Sequence, residues 1–236
     1  MTERYDEAAA AHYAAYRPPL HESILGRVLA EEPRAEVGLD VGCGTGVSAV
    51  ALAAFCARVI GVEPSPSMLE RAMPHEQITY LPGSADALPL PDRSVDVVTL
   101  AGVLHYADSD ATRSEIQRVG RAGARVVIYD FEVLLEPILQ AHGVEPDASP
   151  SDYDHRANLS GTSGFIEQRV ESETVELAMT PEQCAHVLLS DSNHFDSFAR
   201  QYESADPFPQ LVDALRVSGR DPTITANLFY ASYTVE

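Results

Sequence analysis

No lysine occurs in this chain. All 16 basic side chains are arginine, set against 36 aspartates and glutamates, which gives a formal charge of −20 at pH 7 and a pI near 4.6. Without lysine there is no Gly-Lys-Ser/Thr sequence, so a phosphate-binding P-loop is excluded. The deficit of positive charge also argues against nucleic acid as a partner, because phosphates must be met by cations, and against anionic membranes. Cysteine is scarce and odd in number (Cys43, Cys56, Cys184), and the spacings fit no metal motif. A disulfide framework is therefore not expected. Cys56 and Cys184 fall in helical patterns and read as core. No apolar stretch approaches the ~20 residues needed to cross a bilayer; the longest lies around Ala49 to Ala57. The opening residues Met1 to Glu7 are charged and contain no apolar signal region. These absences lead to the expectation of a soluble, cytoplasmic protein. His142, His155, His186 and His194 are scattered without ligand spacing, so no metal is expected.

The chain does have enough apolar material, 45% of its 236 residues, to build a substantial core. No repeat or low-complexity tract interrupts it. Residues 3 to 16 and 20 to 30 read as helices separated by Arg17-Pro18-Pro19, because the residue before a proline avoids the helical region. Strand patterns at about 36–41, 58–62, 78–81, 95–101 and 125–129 alternate with helical ones at about 46–56, from Pro66, and from Asp108 or Ser109. The alternation predicts a Rossmann-like, doubly wound α/β sheet with helices on both faces. After Asp130 the pattern changes. Residues 133–141 look helical, 143–164 are rich in Asp, Ser, Pro, Asn and Gly, and 168–177 alternate as an edge strand does. Helices are expected from Thr180 and over 192–203 and 207–217. A final strand is expected over 223–235, making seven strands, mostly parallel with an antiparallel C-terminal one.

The richest ten residues run from Val37 to Gly46. An apolar run ends in Asp40, and Gly42, Gly44 and Gly46 follow at alternate positions before an alanine-rich helix. Glycines permit a sharp turn and close approach of a ligand to the backbone. Ligands of open α/β sheets bind at the carboxyl ends of the strands, where Asp40 places a negative charge. That charge repels a phosphate and suits an ammonium or sulfonium group. The dinucleotide fingerprint G-x-G-x-x-G fits poorly, because Val47 occupies its third glycine position. Cys43, inside the turn, reads as a small filler rather than a nucleophile.

On these residues the chain resembles the class I S-adenosylmethionine-dependent methyltransferases, in the small-molecule branch called type 11. Asp40-Val41-Gly42-Cys43-Gly44-Thr45-Gly46 matches the family's first motif, and Glu63 matches the acid that binds the ribose hydroxyls. Gly83 to Asp92 resembles the loop in which an aspartate, here Asp86, accepts from the adenine amino group. Ser94 to Val98 and Leu100 to Tyr106 resemble the strand-four motif with its His-aromatic ending. The likeness covers residues 10 to 131 and fades beyond. Arg121-Ala122-Gly123-Ala124 stands where relatives often carry Pro-Gly-Gly.

The resemblance implies S-adenosyl-L-methionine as cofactor, held by Arg17, Asp40, Gly42, Cys43, Gly44, Gly46, Glu63, Pro64, Met68, Ala85, Asp86, Leu100 and Ala101. It implies an N-terminal segment closing over the site, with Tyr13, Tyr16 and Tyr106 facing the substrate and Arg17 clamping the methionine carboxylate through its donor fork. His105 is the best-placed titratable group for a general base; the other reading is a histidine that only shapes the pocket. The expected organisation is one methyltransferase domain over 1–236. It comprises a helical cap at about 1–30, a cofactor core at 35–131, an insertion or lid at 132–165, and C-terminal strands and helices at 166–236. The expected partner is a small-molecule methyl acceptor; the Asn/Asp-Pro-Pro-Tyr motif of nucleobase amino methylation is absent. Two alternatives stay open. One is a non-catalytic S-adenosylmethionine-binding regulatory protein, the other an NAD(P)-dependent oxidoreductase, which the glycine spacing disfavours. The oligomeric state is not legible.

A lysine-free, carboxylate-rich chain suits concentrated salt, where self-repulsion is screened; GC-biased codon use with chance acidity is the competing explanation. Salt adaptation predicts a thermal unfolding midpoint that climbs steadily from low to molar KCl. A midpoint that stays flat across the series excludes it.

Overall fold

The computed structural model describes residues 2–145, 152–217 and 219–236. Short apolar, β-branched runs form β1 (Ala35–Val41), β2 (Cys56–Glu63), β3 (Ile78–Pro82) and β4 (Val95–Ala101). Longer strands follow: β5 (Gly120–Leu134), β6 (Phe165–Ala178) and β7 (Thr223–Val235). Among the described residues they make one seven-stranded sheet in the order β3-β2-β1-β4-β5-β7-β6. β1 pairs in parallel with β2 and β4, β2 with β3, and β4 with β5. The C-terminal strands are antiparallel. This is the predicted Rossmann-like α/β sheet, mostly parallel with a reversed C-terminal end.

Parallel neighbours need crossover connections. Here they are α3 (Val47–Ala53) between β1 and β2, α4 (Pro66–Leu69) between β2 and β3, and α5 (Leu104–Ala107) with α6 (Asp110–Val119) between β4 and β5. Ser109 caps α6, its hydroxyl accepting from the Thr112 amide at 3.1 Å. The crossovers bring the carboxyl ends of the strands to one edge. The register sets Asp40 beside Gly61 on one side and Thr99 on the other, Glu63 beside Pro82, and Ala101 beside Tyr129.

Internal packing separates two compact units. The larger comprises residues 20–131, 152–173 and 228–236. Its core is the sheet interior, with Leu39, Val98, Leu100, Val126 and Tyr233 all buried, together with Leu104 and Ile116 from the crossovers. It also includes α2 (Leu20–Leu29), which buries Leu20, Ile24, Leu25 and Leu29 on one stripe. The other unit takes the described residues of 1–19, 132–151 and 174–227. It holds α1 (Thr2–Ala15), α7 (Glu136–Ala141), α8 (Pro181–Leu189), α9 (Ser192–Gln201) and α10 (Phe208–Arg216). They pack around Leu139, Cys184, Phe195, Phe198 and Leu211. Thr180 starts α8 with a capping box: its hydroxyl accepts from the Gln183 amide, and the Gln183 side chain accepts from the Thr180 amide.

Several boundaries differ from those read in sequence. β5 runs well past the apolar stretch at 125–129, because the ladder with β4 continues to Gly120 across a bulge between Val95 and Val97. β5 also takes Val133 and Leu134, so the helix expected at 133 begins at Glu136. The helix expected over 46–56 ends at Ala53, and Cys56 opens β2 instead of closing a helix. The two helices of the expected cap fall in different units, divided at Pro19 and Leu20. Within the expected insertion, residues 146–151 lie outside the described ones, and 152–164 form turns without helix or strand.

Candidate functional site

The turn after β1 is built on backbone that other residues could follow only with strain. Gly42, Gly44 and Gly46 have φ of 68°, 54° and 89°. At Gly46 an added Cβ would lie 2.1 Å from the Tyr80 hydroxyl, which itself donates to the Met73 carbonyl at 2.9 Å. At Gly44 the same Cβ would meet no heavy atom within 4 Å. The turn is thus packed from below at Gly46 and open above Gly44, the form of a cradle a ligand can approach.

Two acids anchor it. Glu63, at the end of β2, is nearly buried, and its carboxylate accepts from the Gly44 amide at 3.0 Å and the Ser65 amide at 2.9 Å. Each oxygen keeps acceptor capacity for a further hydroxyl. Asp40 is fully buried, and the hydroxyls of Ser48 (2.6 Å) and Thr99 (2.7 Å) donate to its two oxygens. Burial pushes the Asp40 carboxyl up to about 6; the two hydroxyl bonds pull it back, and the Glu63 charge adds to the rise. The Cys43 thiol is pushed up to about 12, first by burial and then by Asp40 and Glu63. It is no nucleophile at neutral pH.

Beside the turn opens a cleft of about 520 Å³, within the usual range for small-ligand sites of roughly 300–1,000 Å³. It collects Gly42, Glu63, Pro64, Ala85, Asp86 and Tyr106, with Ser109 and Thr112 from the start of α6. Asp86 is exposed at the rim and accepts from the Ser84 hydroxyl. Asp40, Cys43 and Leu100 are buried behind this surface. Met68 is 46% exposed and Tyr106 77% exposed, so both rings and chains are accessible to a ligand. Ala101 ends β4. Tyr13, Tyr16 and Arg17 belong to the other unit. There the Arg17 guanidinium lies 3.4 Å from the centre of the Tyr13 ring and donates to the Tyr13 carbonyl, and Tyr16 packs on the helical core.

His105 lies on α5, and its Nδ1 accepts from the Asp154 amide at 3.1 Å. An amide can only donate, so the His105 proton sits on Nε2. Its ring stands against Tyr106 and Tyr153, with centroids 5.0 and 4.6 Å away. Tyr153 donates to the Gly102 carbonyl at 2.9 Å. His155 bonds through Nδ1 to Asp130, at 2.9 Å, near the carboxyl end of the parallel part of β5. Sequence alone assigns Asp130 no role and offers Tyr153 and His155 only as part of a lid or an acceptor-pocket lining. The available signal was an apolar run ending in a carboxylate at Asp130, the same form that marks Asp40 and Glu63. His186 pairs instead with His12, Nδ1 to Nδ1 at 2.9 Å.

Residues 39–128 match the family model of a methyltransferase domain. A protein from Dictyostelium discoideum assigned as a methyltransferase is 26% identical over 123 residues, covering 52% of this chain and 47% of that one. The ubiquinone/menaquinone biosynthesis C-methyltransferase of Rubrivivax gelatinosus is 36% identical over 96 residues, covering 39% of this chain and 38% of its own. The chain thus spans about half the length, or less, of the curated relatives it matches. Among solved structures, one assigned as a type II methyltransferase from Anaeromyxobacter dehalogenans superposes with a TM-score of 0.62 at 25% identity, over 92% of this chain and 96% of that one.

The raised Asp40 carboxyl has a consequence for stability. Its folded-state value of about 6 lies above the ordinary 3.8, so the folded protein holds this proton more tightly than the unfolded one. The group's contribution is therefore complete below about 4 and lost as pH rises through about 6, a change of roughly 3 kcal/mol at most. Asp40→Asn removes this dependence. Relative to wild type, the ligand-free variant should gain in thermal midpoint between about pH 4 and pH 7, read from paired unfolding curves. A difference that stays constant across that range contradicts a buried, titrating Asp40.

Proposed function

We propose that the chain is a class I S-adenosylmethionine-dependent methyltransferase, a reading supported by the methyltransferase-domain match over residues 39–128, and that it transfers a methyl group to a small-molecule acceptor by in-line displacement. The observation that carries this reading is the cleft that joins the open glycine turn to Glu63 and Asp86. Bound S-adenosylmethionine supplies a methyl group on a positively charged sulfur. The residues present fit that molecule. Glu63 has acceptor capacity for two adjacent ribose hydroxyls and is held in place by the Gly44 and Ser65 amides. Asp86, at the rim, takes the adenine amino group, and Met68 or the neighbouring Leu69 packs on the ring. Pro64 and Ala85 form the walls.

Asp40 acts from beneath. Its oxygens are committed to Ser48 and Thr99, so it meets the methionine ammonium through the field it exerts. A cation placed over a buried carboxylate lowers the cost of ionising it. The pocket in turn favours the charged donor. Tyr106 is assigned to the acceptor side. Much of the acceleration comes from holding the nucleophile and the methyl carbon close and collinear. With its basic nitrogen committed to the Asp154 amide, His105 is assigned to the pocket wall. The acidic chain suits neither DNA nor RNA as acceptor.

Charge-assisted hydrogen bonds of this kind are worth roughly 1.5–3 kcal/mol each. Calorimetric titration with S-adenosylmethionine or S-adenosylhomocysteine should therefore show affinity reduced at least about tenfold in both Glu63→Ala and Asp86→Ala. Asp86 is exposed, so its variant tests the site without disturbing the fold; an unfolding curve is needed beside the Glu63 variant, which also loses an anchor of the turn. Wild-type affinity in both variants refutes the adenosine site. Tight cofactor binding with no labelled methyl passed to any metabolite pool favours a regulatory binding protein instead.

A further inference from the structure

The larger unit contains a second built feature, which the cofactor site does not use. Asp130, near the carboxyl end of the parallel part of β5, accepts from the Phe131 amide through Oδ1 at 2.8 Å and bonds His155 Nδ1 through Oδ2 at 2.9 Å. A carboxylate can only accept when ionised, so His155 donates from Nδ1, and its lone pair lies on Nε2. This is the reverse of His105, whose Nδ1 lone pair is spent on the Asp154 amide. Of the two histidines at the strand ends, His155 is the one arranged to take up a proton, and the half-buried Asp130 carboxylate (18% exposed) offsets the charge it would gain.

The surroundings indicate what would give up that proton. His155 lines a half-open pocket of about 190 Å³ whose walls are apolar on one side (Ile128, Val170, Phe229, Ala231) and polar on the other (Arg156, Asn158, Glu171), the mixed lining that suits a flat ring carrying a hydroxyl. The His155 ring is stacked on Phe229 at 22° with centroids 5.9 Å apart, and meets Tyr153 at 4.6 Å. Tyr153 in turn meets Tyr106, at 5.4 Å, and Tyr106 lines the cofactor cleft. A row of flat side chains thus runs from Tyr106 at the cleft to Phe229 at the cavity.

Building on the methyltransferase reading, we propose that the acceptor is an aromatic hydroxyl compound, that His155 is the general base that deprotonates it, and that Asp130 is the residue that positions and charge-balances His155. The hydroxyl proton passes to His155 Nε2. An oxygen electron pair forms the new bond to the methyl carbon while the carbon–sulfur pair stays on sulfur. The resulting imidazolium is neutralised by Asp130, and no other reactant is required.

The test uses the full chain, methyl-labelled S-adenosylmethionine, and phenols of graded acidity from 4-nitrophenol to 4-methylphenol at mildly alkaline pH, where only the former is largely ionised. General base catalysis contributes about 10²–10⁴-fold. His155→Gln should therefore lose at least about a hundredfold in transfer to 4-methylphenol and only a few-fold with 4-nitrophenol. Calorimetric affinity for S-adenosylhomocysteine should stay unchanged. A second readout is independent of turnover. In nitrogen NMR, neutral His155 should show a protonated, hydrogen-bonded Nδ1 and an unprotonated Nε2, a tautomer preference that weakens in Asp130→Asn. Equal losses for all phenols, no transfer to any of them with cofactor bound, or a His155 tautomer indifferent to Asp130 overturns the proposal. Failure of the wild-type chain to bind S-adenosylmethionine or its product refutes the underlying methyltransferase reading instead.

Discussion

A carboxylate with no access to water, Asp40, lies under a turn whose backbone only glycine follows without strain. Much of the site geometry is a response to that placement. The charge is tolerated because two hydroxyls, from Ser48 on α3 and Thr99 on β4, reach it from opposite sides. Those two bonds also tie the first strand to the helix that follows it and to its neighbour in the sheet. Glu63 repeats the device one strand over, accepting amides from the turn and from the start of α4. The acids at the strand ends are structural before any ligand arrives, because Asp40 pairs two hydroxyls and Glu63 satisfies two backbone amides of the turns.

The same arrangement is strained in the electrostatic sense. Asp40 and Glu63 each raise the cost of ionising the groups around them, and both push the Cys43 thiol away from reactivity. The hydroxyl and amide donors offset part of this cost but carry no net charge. A cationic ligand in the neighbouring cleft would supply the missing positive charge, and in the proposed reading this is why the site favours a sulfonium donor over a phosphate-bearing one. Catalytic electrostatics of this kind depend on groups fixed beforehand, which the buried hydrogen bonds provide.

Most of this was legible in the sequence, for physical reasons that can be named. β1 and β4 are buried on both faces and so appear as apolar runs, and the glycine spacing after β1 reflects backbone angles that few other residues adopt. Ser109 and Thr180 mark helix starts because their hydroxyls satisfy free amides. What sequence could not show was contact over distance. His155 and Asp130 are 25 residues apart, and no local pattern in the segment between them marks the contact. The state of His105 depends on an amide 49 residues away. The length of β5 was hidden as well, since its outer residues are held by pairing and not by an apolar pattern of their own.

The acids of this chain fall into two populations that respond to different agents. Most of the −20 formal charge is borne by side chains exposed to solvent. Their mutual repulsion is reduced as the screening length shrinks from about 10 Å at 0.1 M salt to about 3 Å at 1 M. Salt ions cannot reach Asp40, whose unfavourable ionisation comes from lost hydration and not from distant charges. In the proposed reading, high salt would steady the fold as a whole without relieving the site. Only a cation bound in the cleft would do that, so the buried acid stays selective for its ligand even when the surface charge is screened.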